Sequence, residues 1–130
     1  MSENQQITIL IVDDELSIRK LLEFFLKKYF SVVTASNGKE AKNWLDNANY
    51  PDIVIADLNM PIMNGLDLTR YIRSERKFDD VPVIILSGSE SDEVKLECSE
   101  AGTSDFITKP FRPEYLHTII IEKLKDSGKL

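Results

Sequence analysis

The sequence predicts an α/β protein built on one parallel β-sheet with helices on both faces. Three short apolar runs, residues 7–12, 53–56 and 83–86, are rich in β-branched residues and bounded by turn residues. Such runs are typical of strands that are buried on both faces. Segments with helical periodicity separate the runs, as parallel strands require. With 130 residues the chain is long enough for one hydrophobic core, so we expect one domain over 1–130.

The first half of the chain predicts three strands and two helices. Residues 7–12 form the first strand, and an apolar stripe after it recurs at helical spacing. Residues 31–35 form a short second strand, and Asn37-Gly38 begins a second helix that extends to Ala48. Residues 53–57 form the central strand. The stripe of the first helix consists of Ile18, Leu21, Leu22, Phe25, Leu26 and Tyr29.

The second half continues the alternation. A third helix follows Gly65 to about Arg76, and a charged loop over 78–82 leads to the strand 83–86. A polar helix over 92–101, a brief strand over 105–108 and a last helix from Pro113 complete the pattern, with a frayed tail over 126–130. Five alternating βα units predict a flavodoxin-like, doubly wound parallel five-stranded sheet in the order 2-1-3-4-5.

Composition narrows the classes of function. A net charge of −6 and a pI near 4.8 disfavour direct binding of nucleic acid. Cys98 is the single cysteine, which predicts a core residue in a reducing interior and no disulfide framework. The polar amino terminus lacks a secretion signal, and no apolar run approaches a membrane span. We therefore expect a cytoplasmic protein that does not enter the membrane.

Chemically useful side chains follow four of the five strands. The carboxyl ends of the parallel strands lie at one edge of the sheet, which brings Asp13, Asp14, Asp57, Ser87 and Lys109 together. Carboxylates in close contact repel one another by up to ~4 kcal/mol per pair at an effective dielectric near 20. Either some of them are protonated or a cation lies among them. Oxygen ligands without histidine or cysteine favour Mg²⁺, with Mn²⁺ as a possible substitute.

This group of side chains is suited to accepting a phosphoryl group. Asp57 can attack phosphorus in line, a bound cation can neutralise the equatorial oxygens, and Lys109 and Ser87 can hold the others. Each residue alone has an ordinary structural explanation, such as a helix cap for an aspartate or a turn for Ser-Gly-Ser. Four strand ends that each carry a fitting group favour one shared site.

Four short motifs stand at these strand ends: Ile-Val-Asp-Asp-Glu at 11–15, Asp57 with Met-Pro-Ile-Met-Asn-Gly at 60–65, Ser87-Gly88, and Thr-Lys-Pro-Phe at 108–111. Together and in this order they resemble the receiver domain of two-component response regulators. The resemblance covers a core of about 7–125. It implies phosphorylation of Asp57 by a histidine kinase or a phosphotransfer protein, and at most self-phosphorylation and autodephosphorylation as activity.

The resemblance also assigns roles around Asp57. It implies that Asp14, Asp57 and the backbone carbonyl of Asn59 ligate Mg²⁺, that Asp13 acts through water, and that the Lys109-Pro110 bond is cis. Ser87 and Phe106 would form the switch, and Asn59 and Ser89 would tune dephosphorylation. The surface of the fourth helix, fifth strand and last helix would carry the signal, and candidate residues on it are Lys95, Ser99, Phe106 and His117.

The output and the rival functions stay open at this point. The signal would pass to a downstream protein target or a fused output domain, with the chain as a monomer or a phosphorylation-linked dimer. A haloacid dehalogenase-like phosphatase would place its nucleophile after the first strand. A flavin-binding electron carrier would not place acids there. A degenerate receiver that acts only as a docking module is the remaining alternative.

Overall fold

The computed structural model describes residues 6–89 and 91–130, and the polar amino-terminal segment over 1–5 lies outside this part of the chain. The described residues form five strands and five helices that alternate as the sequence predicts. The strands are β1 Thr8–Val12, β2 Ser31–Ala35, β3 Ile53–Asp57, β4 Val83–Ser87 and β5 Asp105–Thr108. The helices are α1 Leu16–Leu26, α2 Gly38–Asp46, α3 Gly65–Ser74, α4 Asp92–Ala101 and α5 Pro113–Asp126.

The strands form one parallel sheet in the order β2-β1-β3-β4-β5, which confirms the predicted topology. Val12 pairs with Ala56 across β1 and β3, and Asp57 pairs with Leu86 across β3 and β4. Ser87 pairs with Thr108 across β4 and β5. This register brings the carboxyl ends of four strands to the same height at one edge of the sheet.

Two apolar layers cover the sheet because successive strand residues point to opposite faces. On one face Ile9, Ile11, Ile53 and Ile55 pack with buried residues of α1 and α5. On the other face Leu10, Val12, Val54 and Ala56 pack with buried residues of α2 and α3 and with Cys98 of α4. Cys98 is 1% exposed, so it is the core residue that its sequence context predicts, and burial raises the pKa of its thiol.

The structure differs from the sequence-based expectation in four local details. α3 ends at Ser74, and a 3₁₀ turn over Arg76–Phe78 follows it. The charged loop before β4 contains two core residues, Phe78 and Val81, which are each 1% exposed. α2 ends at Asp46 and not at Ala48. Ala48 has a φ of 62°, a left-handed conformation that is incompatible with a right-handed helix. The apolar stripe of α1 is wider than its buried face, since Leu21 is half exposed.

The carboxyl terminus is anchored, contrary to the frayed tail that the sequence suggests. The Lys129 ammonium donates to the carbonyls of Asp52 at 2.9 Å and Asp80 at 3.0 Å. It also lies 5.3 Å from the ring centroid of Tyr50. Burial lowers the pKa of Lys129. The lysine therefore joins the end of α5 to the segments that enter β3 and β4, at the sheet edge opposite Asp57.

The sequence predicts no membrane-spanning segment, and the helices can be compared with that expectation. None of the helices in the described part of the chain has both the length and the apolar character that crossing a lipid bilayer requires.

Candidate functional site

The candidate site is a crevice at the carboxyl edge of the sheet, where β1, β3 and β5 deliver charged side chains. Asp13, Asp14 and Asp57 each place a carboxylate oxygen within 4.8 Å of the others. Asp13 is fully buried and Asp57 is 8% exposed, whereas Asp14 is exposed. The structure thus brings the three predicted acids together at one point, although they come from two strands separated by about 40 residues of chain.

Lys109 supplies the positive charge of this crevice. Its ammonium lies 3.3 Å from Asp57 Oδ1 and 3.6 Å from Asp13 Oδ2. The backbone N–H of Lys109 donates to the Ser87 carbonyl at 2.7 Å, which fixes the lysine at the end of β5 beside β4. The Lys109-Pro110 bond is cis, as the family resemblance implies. The ammonium therefore bridges the two buried carboxylates.

The crevice shifts the acid–base equilibrium of Asp57 toward the protonated form. Burial raises the pKa of its carboxyl, and the negative charges of Asp13 and Asp14 raise it further. The ammonium of Lys109 opposes this shift but does not cancel it. The ionised form of Asp57 is therefore less favourable than in a free aspartate, and a cation beside it would stabilise that form.

The donor set fits a hard divalent cation. Asp13 Oδ1 accepts the backbone N–H of Glu15 at 2.9 Å. Among residues 6–89 and 91–130, Asp13 Oδ2 is the one buried side-chain oxygen or nitrogen without a hydrogen bond. Lys109 lies at ion-pair distance from that oxygen, too long for a hydrogen bond. A buried carboxylate oxygen that accepts no hydrogen bond, beside two other carboxylates, matches what Mg²⁺ or Mn²⁺ accepts.

The loop from β3 to α3 is held tightly at its base. Leu58 donates its N–H to the Leu86 carbonyl at 2.9 Å, and Gly65 donates to the Leu58 carbonyl at 3.0 Å. The Asn64 side chain accepts the Asp67 N–H at 2.8 Å and caps α3. Asn59 lies exposed on this loop, two residues after Asp57. The loop ends therefore meet next to Asp57.

Gly65 leads to a testable expectation, because a Cβ there would lie 2.5 Å from the Asp57 carbonyl oxygen. We expect Gly65→Ala to lower the free energy of unfolding by about 1–3 kcal/mol, since the backbone of Asp57 must move. Urea unfolding measures the change. Gly88→Ala is the matched control, because a Cβ at Gly88 meets nothing within 4 Å. Equal stability of the two variants would show that the close approach has no cost.

Two serines line the β4 end of the crevice. Ser87 is fully buried, and its Oγ accepts the backbone N–H of Ser89 at 3.0 Å. The Oγ of Ser89 in turn accepts the N–H of Ser91 at 3.2 Å. The two predicted serines therefore stand at the carboxyl end of β4 and just after it, and their hydroxyls order the first residues of the β4–α4 loop.

Three of the four residues predicted for a signal surface lie on α4 and β5. Lys95 and Ser99 are exposed on α4, and the Lys95 ammonium lies 5.8 Å from the ring centroid of Phe106 on β5. Phe106 is partly buried against the apolar layer of α2, α3 and α4. His117 was placed on this surface wrongly. Its ring packs 4.6 Å from that of Tyr29, because its position on α5 faces α1.

Sequence reasoning missed an apolar groove next to Lys109. Its volume is about 390 Å³, and it lies between α1 and the segment that follows β5. The available signal was the apolar stripe on α1, which is wider than one buried face needs. The groove is lined by Ile18, Leu21, Leu22, Lys109, Pro110, Phe111 and Pro113.

Comparison with known families decides between the receiver and its rivals. The model of the response regulator receiver domain matches residues 9–121. The chain belongs to this family. Receiver domains are signalling domains that accept a phosphoryl group from histidine kinases, so the chain is a component of two-component signalling and the phosphatase and flavin carrier are set aside.

Individual relatives agree with this assignment. The receiver domain is 42% identical over 123 residues to the probable transcriptional regulator ycf27 of Guillardia theta, covering 93% of this chain and 46% of the relative. It is 34% identical to the chemotaxis protein CheY1 of Helicobacter pylori, covering 83% and 89%. The receiver domain thus spans about half the length of the ycf27 relatives and most of the length of the chemotaxis proteins.

Solved structures show the same fold. The chemotaxis protein CheY4 of Vibrio cholerae superposes with a TM-score of 0.86 at 31% identity, covering 92% of this chain and 99% of the other. A CheY-like response regulator receiver domain protein from Methanospirillum hungatei gives a TM-score of 0.87 at 26% identity, covering 96% and 98%. The flavodoxin-like topology predicted for the receiver domain is therefore that of CheY.

Proposed function

We propose that this receiver is a phosphoaspartate switch whose acceptor is Asp57, with residues 1–130 forming one domain around a core of about 7–125. A histidine kinase or a histidine phosphotransfer protein supplies the phosphoryl group. The observation that carries the proposal is the nearly buried Asp57 carboxylate, held 3.3 Å from the Lys109 ammonium beside two other acids. A structural ion pair would not need three acids at one point.

The geometry supports an in-line transfer. A carboxylate oxygen of Asp57 attacks phosphorus, the new O–P bond forms, and the N–P bond to the donor histidine breaks with its electron pair leaving on the imidazole. Lys109 is placed to hold one phosphoryl oxygen as a point charge, and the Ser87 hydroxyl to donate to another. Burial excludes water from the attacking oxygen, so these charges act with little screening.

The cofactor proposed for this reaction is Mg²⁺, with Mn²⁺ as a substitute. Asp14, Asp57 and the Asn59 backbone carbonyl would bind it directly, and Asp13 would bind it through water. When bound it neutralises charge on the phosphoryl oxygens. Asp13 Oδ2, which is buried and accepts no hydrogen bond, and the raised pKa of Asp57 support a cation at this point.

The groove beside Lys109 supports a protein as the phosphoryl donor. It is apolar and borders the crevice, and the exposed Leu21 and the aromatic Phe111 contribute to it. A donor that seats apolar side chains there brings its histidine close to Asp57. A kinase that uses ATP places this reaction in the cytoplasm, and no direct nucleic-acid or membrane contact is part of it.

The output of the switch would run from Ser87 to Phe106 and then to the surface of α4, β5 and α5. The phosphoryl group adds about −1.5 to −2 charge and three acceptor oxygens, which draws the Ser87 hydroxyl from its bond with Ser89. The recipient is a downstream protein target or a fused output domain, and the chain acts as a monomer or a phosphorylation-linked dimer. Asn59 and Ser89 tune autodephosphorylation from the crevice rim.

The deciding experiment exposes the wild-type protein to acetyl phosphate. With Mg²⁺ we expect a gain of one phosphoryl group by intact mass, and its loss in hydroxylamine, which cleaves acyl phosphates. With EDTA we expect no gain. A protein that binds Mg²⁺ but gains nothing from acetyl phosphate, from a phosphorylated histidine kinase or from a phosphotransfer protein would be the docking module instead.

A further inference from the structure

The β3–α3 loop contains a strained residue that the proposed reaction does not explain. Ile62 has a φ of 70°, a region that β-branched residues rarely adopt. The N–H of Met63 donates to the Pro61 carbonyl at 2.7 Å, across Ile62. A hydrogen bond from i+2 to i around a positive φ defines the rare, strained form of the γ-turn. Such strain persists only where the surroundings impose it.

The surroundings do impose it. The Met63 carbonyl accepts the N–H of Gly38 at the start of α2, at 2.9 Å. Gly38 approaches so closely that a Cβ there would lie 2.5 Å from the same carbonyl oxygen. Gly65 closes the loop onto Leu58 at its base. Ile62 therefore lies at the tip of a loop whose backbone is fixed on both sides, so the point from which its side chain projects is defined.

Packing does not account for the identity of this residue. Ile62 is 80% exposed, the highest value among the large exposed hydrophobic side chains of the described ranges. A glycine or asparagine would take the same φ without strain, and a polar side chain would suit the solvent better. A strained and exposed apolar residue beside a reaction site points to a contact with another molecule.

We propose that Ile62 is a specificity-determining contact for the phosphohistidine protein that phosphorylates Asp57. The inference rests on the proposed function and adds a residue on the β3–α3 side of the crevice, apart from the groove at Lys109. Because the backbone of the loop is already fixed, binding at Ile62 costs little conformational entropy of the loop, which favours affinity.

The dimensions agree with this assignment. Ile62 is five positions after Asp57, so their Cα atoms would lie at most about 18 Å apart in an extended chain, and they lie closer in this loop, which Gly65 closes onto Leu58. A standard protein interface covers about 800 Å² on each partner, a disc with a radius of roughly 16 Å. Asp57 is only 8% exposed, so a protein donor must insert its histidine while its surface rests on the crevice rim. Acetyl phosphate is too small to contact both residues.

Three variants test the contact. Ile62→Asn removes the apolar side chain and tolerates the positive φ. Ile62→Val keeps a β-branched apolar side chain. Leu130→Asn removes an apolar side chain that is 56% exposed, next to Lys129 at the opposite sheet edge. Each variant is phosphorylated with acetyl phosphate, with autophosphorylated histidine kinase cores and with phosphorylated phosphotransfer domains. The protein donors used are the ones that phosphorylate the wild type fastest.

We expect Ile62→Asn to slow transfer from the protein donors about tenfold and to change the acetyl phosphate rate less than twofold. Ile62→Val and Leu130→Asn should match the wild type with both donors. Thermal unfolding should show Ile62→Asn at least as stable as the wild type, which excludes misfolding. Equal slowing with both donor types, no slowing with protein donors, or no transfer from any protein donor would overturn the inference. If neither acetyl phosphate nor any protein donor phosphorylates the wild type, the acceptor role of Asp57 is contradicted instead.

Discussion

The Asp57→Asn variant will gain no phosphoryl group from acetyl phosphate, and without metal it will be more stable than the wild type. The amide is no nucleophile toward phosphorus, so the variant lacks the proposed acceptor beside Lys109. Stability rises because one negative charge leaves a cluster of three acids, two of them buried. We expect about 1 kcal/mol at pH 7 in EDTA, from urea unfolding, with intact mass for the phosphoryl group.

The stability gain will depend on pH. Burial raises the pKa of Asp57 above its ordinary value of 3.8, so the folded protein holds this proton more tightly than the unfolded chain. The contribution of protonated Asp57 to the stability of the wild type is complete below about pH 4. It is lost as the pH rises through the pKa of Asp57 in the folded protein. The two proteins should therefore differ little at pH 3.5 and increasingly above it. Asp79→Asn, at an exposed acid, is the control, and a difference independent of pH would contradict the argument.

Lys109→Met will destabilise the metal-free protein by about 2–4 kcal/mol at pH 7. The ammonium lies 3.6 Å from Asp13 and 3.3 Å from Asp57, and both acids are nearly inaccessible to water. Its removal leaves two buried carboxylates without a counter-charge, and methionine replaces only the volume of the lysine stem. Urea unfolding in EDTA measures the loss.

The matched control for this variant is Lys42→Met. Lys42 lies only 3.0 Å from Asp46, but both side chains are more than a third exposed. Exposed pairs contribute about 1 kcal/mol or less. Added Mg²⁺ should restore part of the stability of Lys109→Met, since a divalent cation supplies the missing charge, and should leave Lys42→Met unchanged. Similar losses in the two variants would show that burial of the crevice acids is not what makes Lys109 important.

The fold was predictable because its signals are local. Apolar runs and helical stripes recur along the chain, and alternating βα units leave few topologies. The convergence of Asp13, Asp57, Ser87 and Lys109 followed from that topology, since parallel strands place their carboxyl ends at one edge. The sequence therefore predicted which residues meet, and the structure added how closely.

Other features depend on contacts that no local pattern records. Phe78 and Val81 stand among charged residues, and only the packing of a 3₁₀ turn buries them. His117 continues a helical pattern that does not reveal which neighbour it faces. The anchor of Lys129 spans 77 residues to Asp52, a distance over which sequence spacing carries no information. The left-handed φ of Ile62 contradicts its residue type, so sequence alone predicts the opposite.

The position of Lys129 matters for anyone who labels this protein. Lys129 lies at the edge of the sheet where β3 and β4 begin. This edge is one strand length, or about 17 Å, from the crevice. A fluorophore or affinity tag attached after Leu130 would therefore stand clear of a docking donor. The same label on Lys129 would break two hydrogen bonds to Asp52 and Asp80. A dye that reacts with the Lys129 amine would thus loosen the contacts between the end of α5 and the segments before β3 and β4. A peptide tag after Leu130 would leave those contacts and the crevice undisturbed.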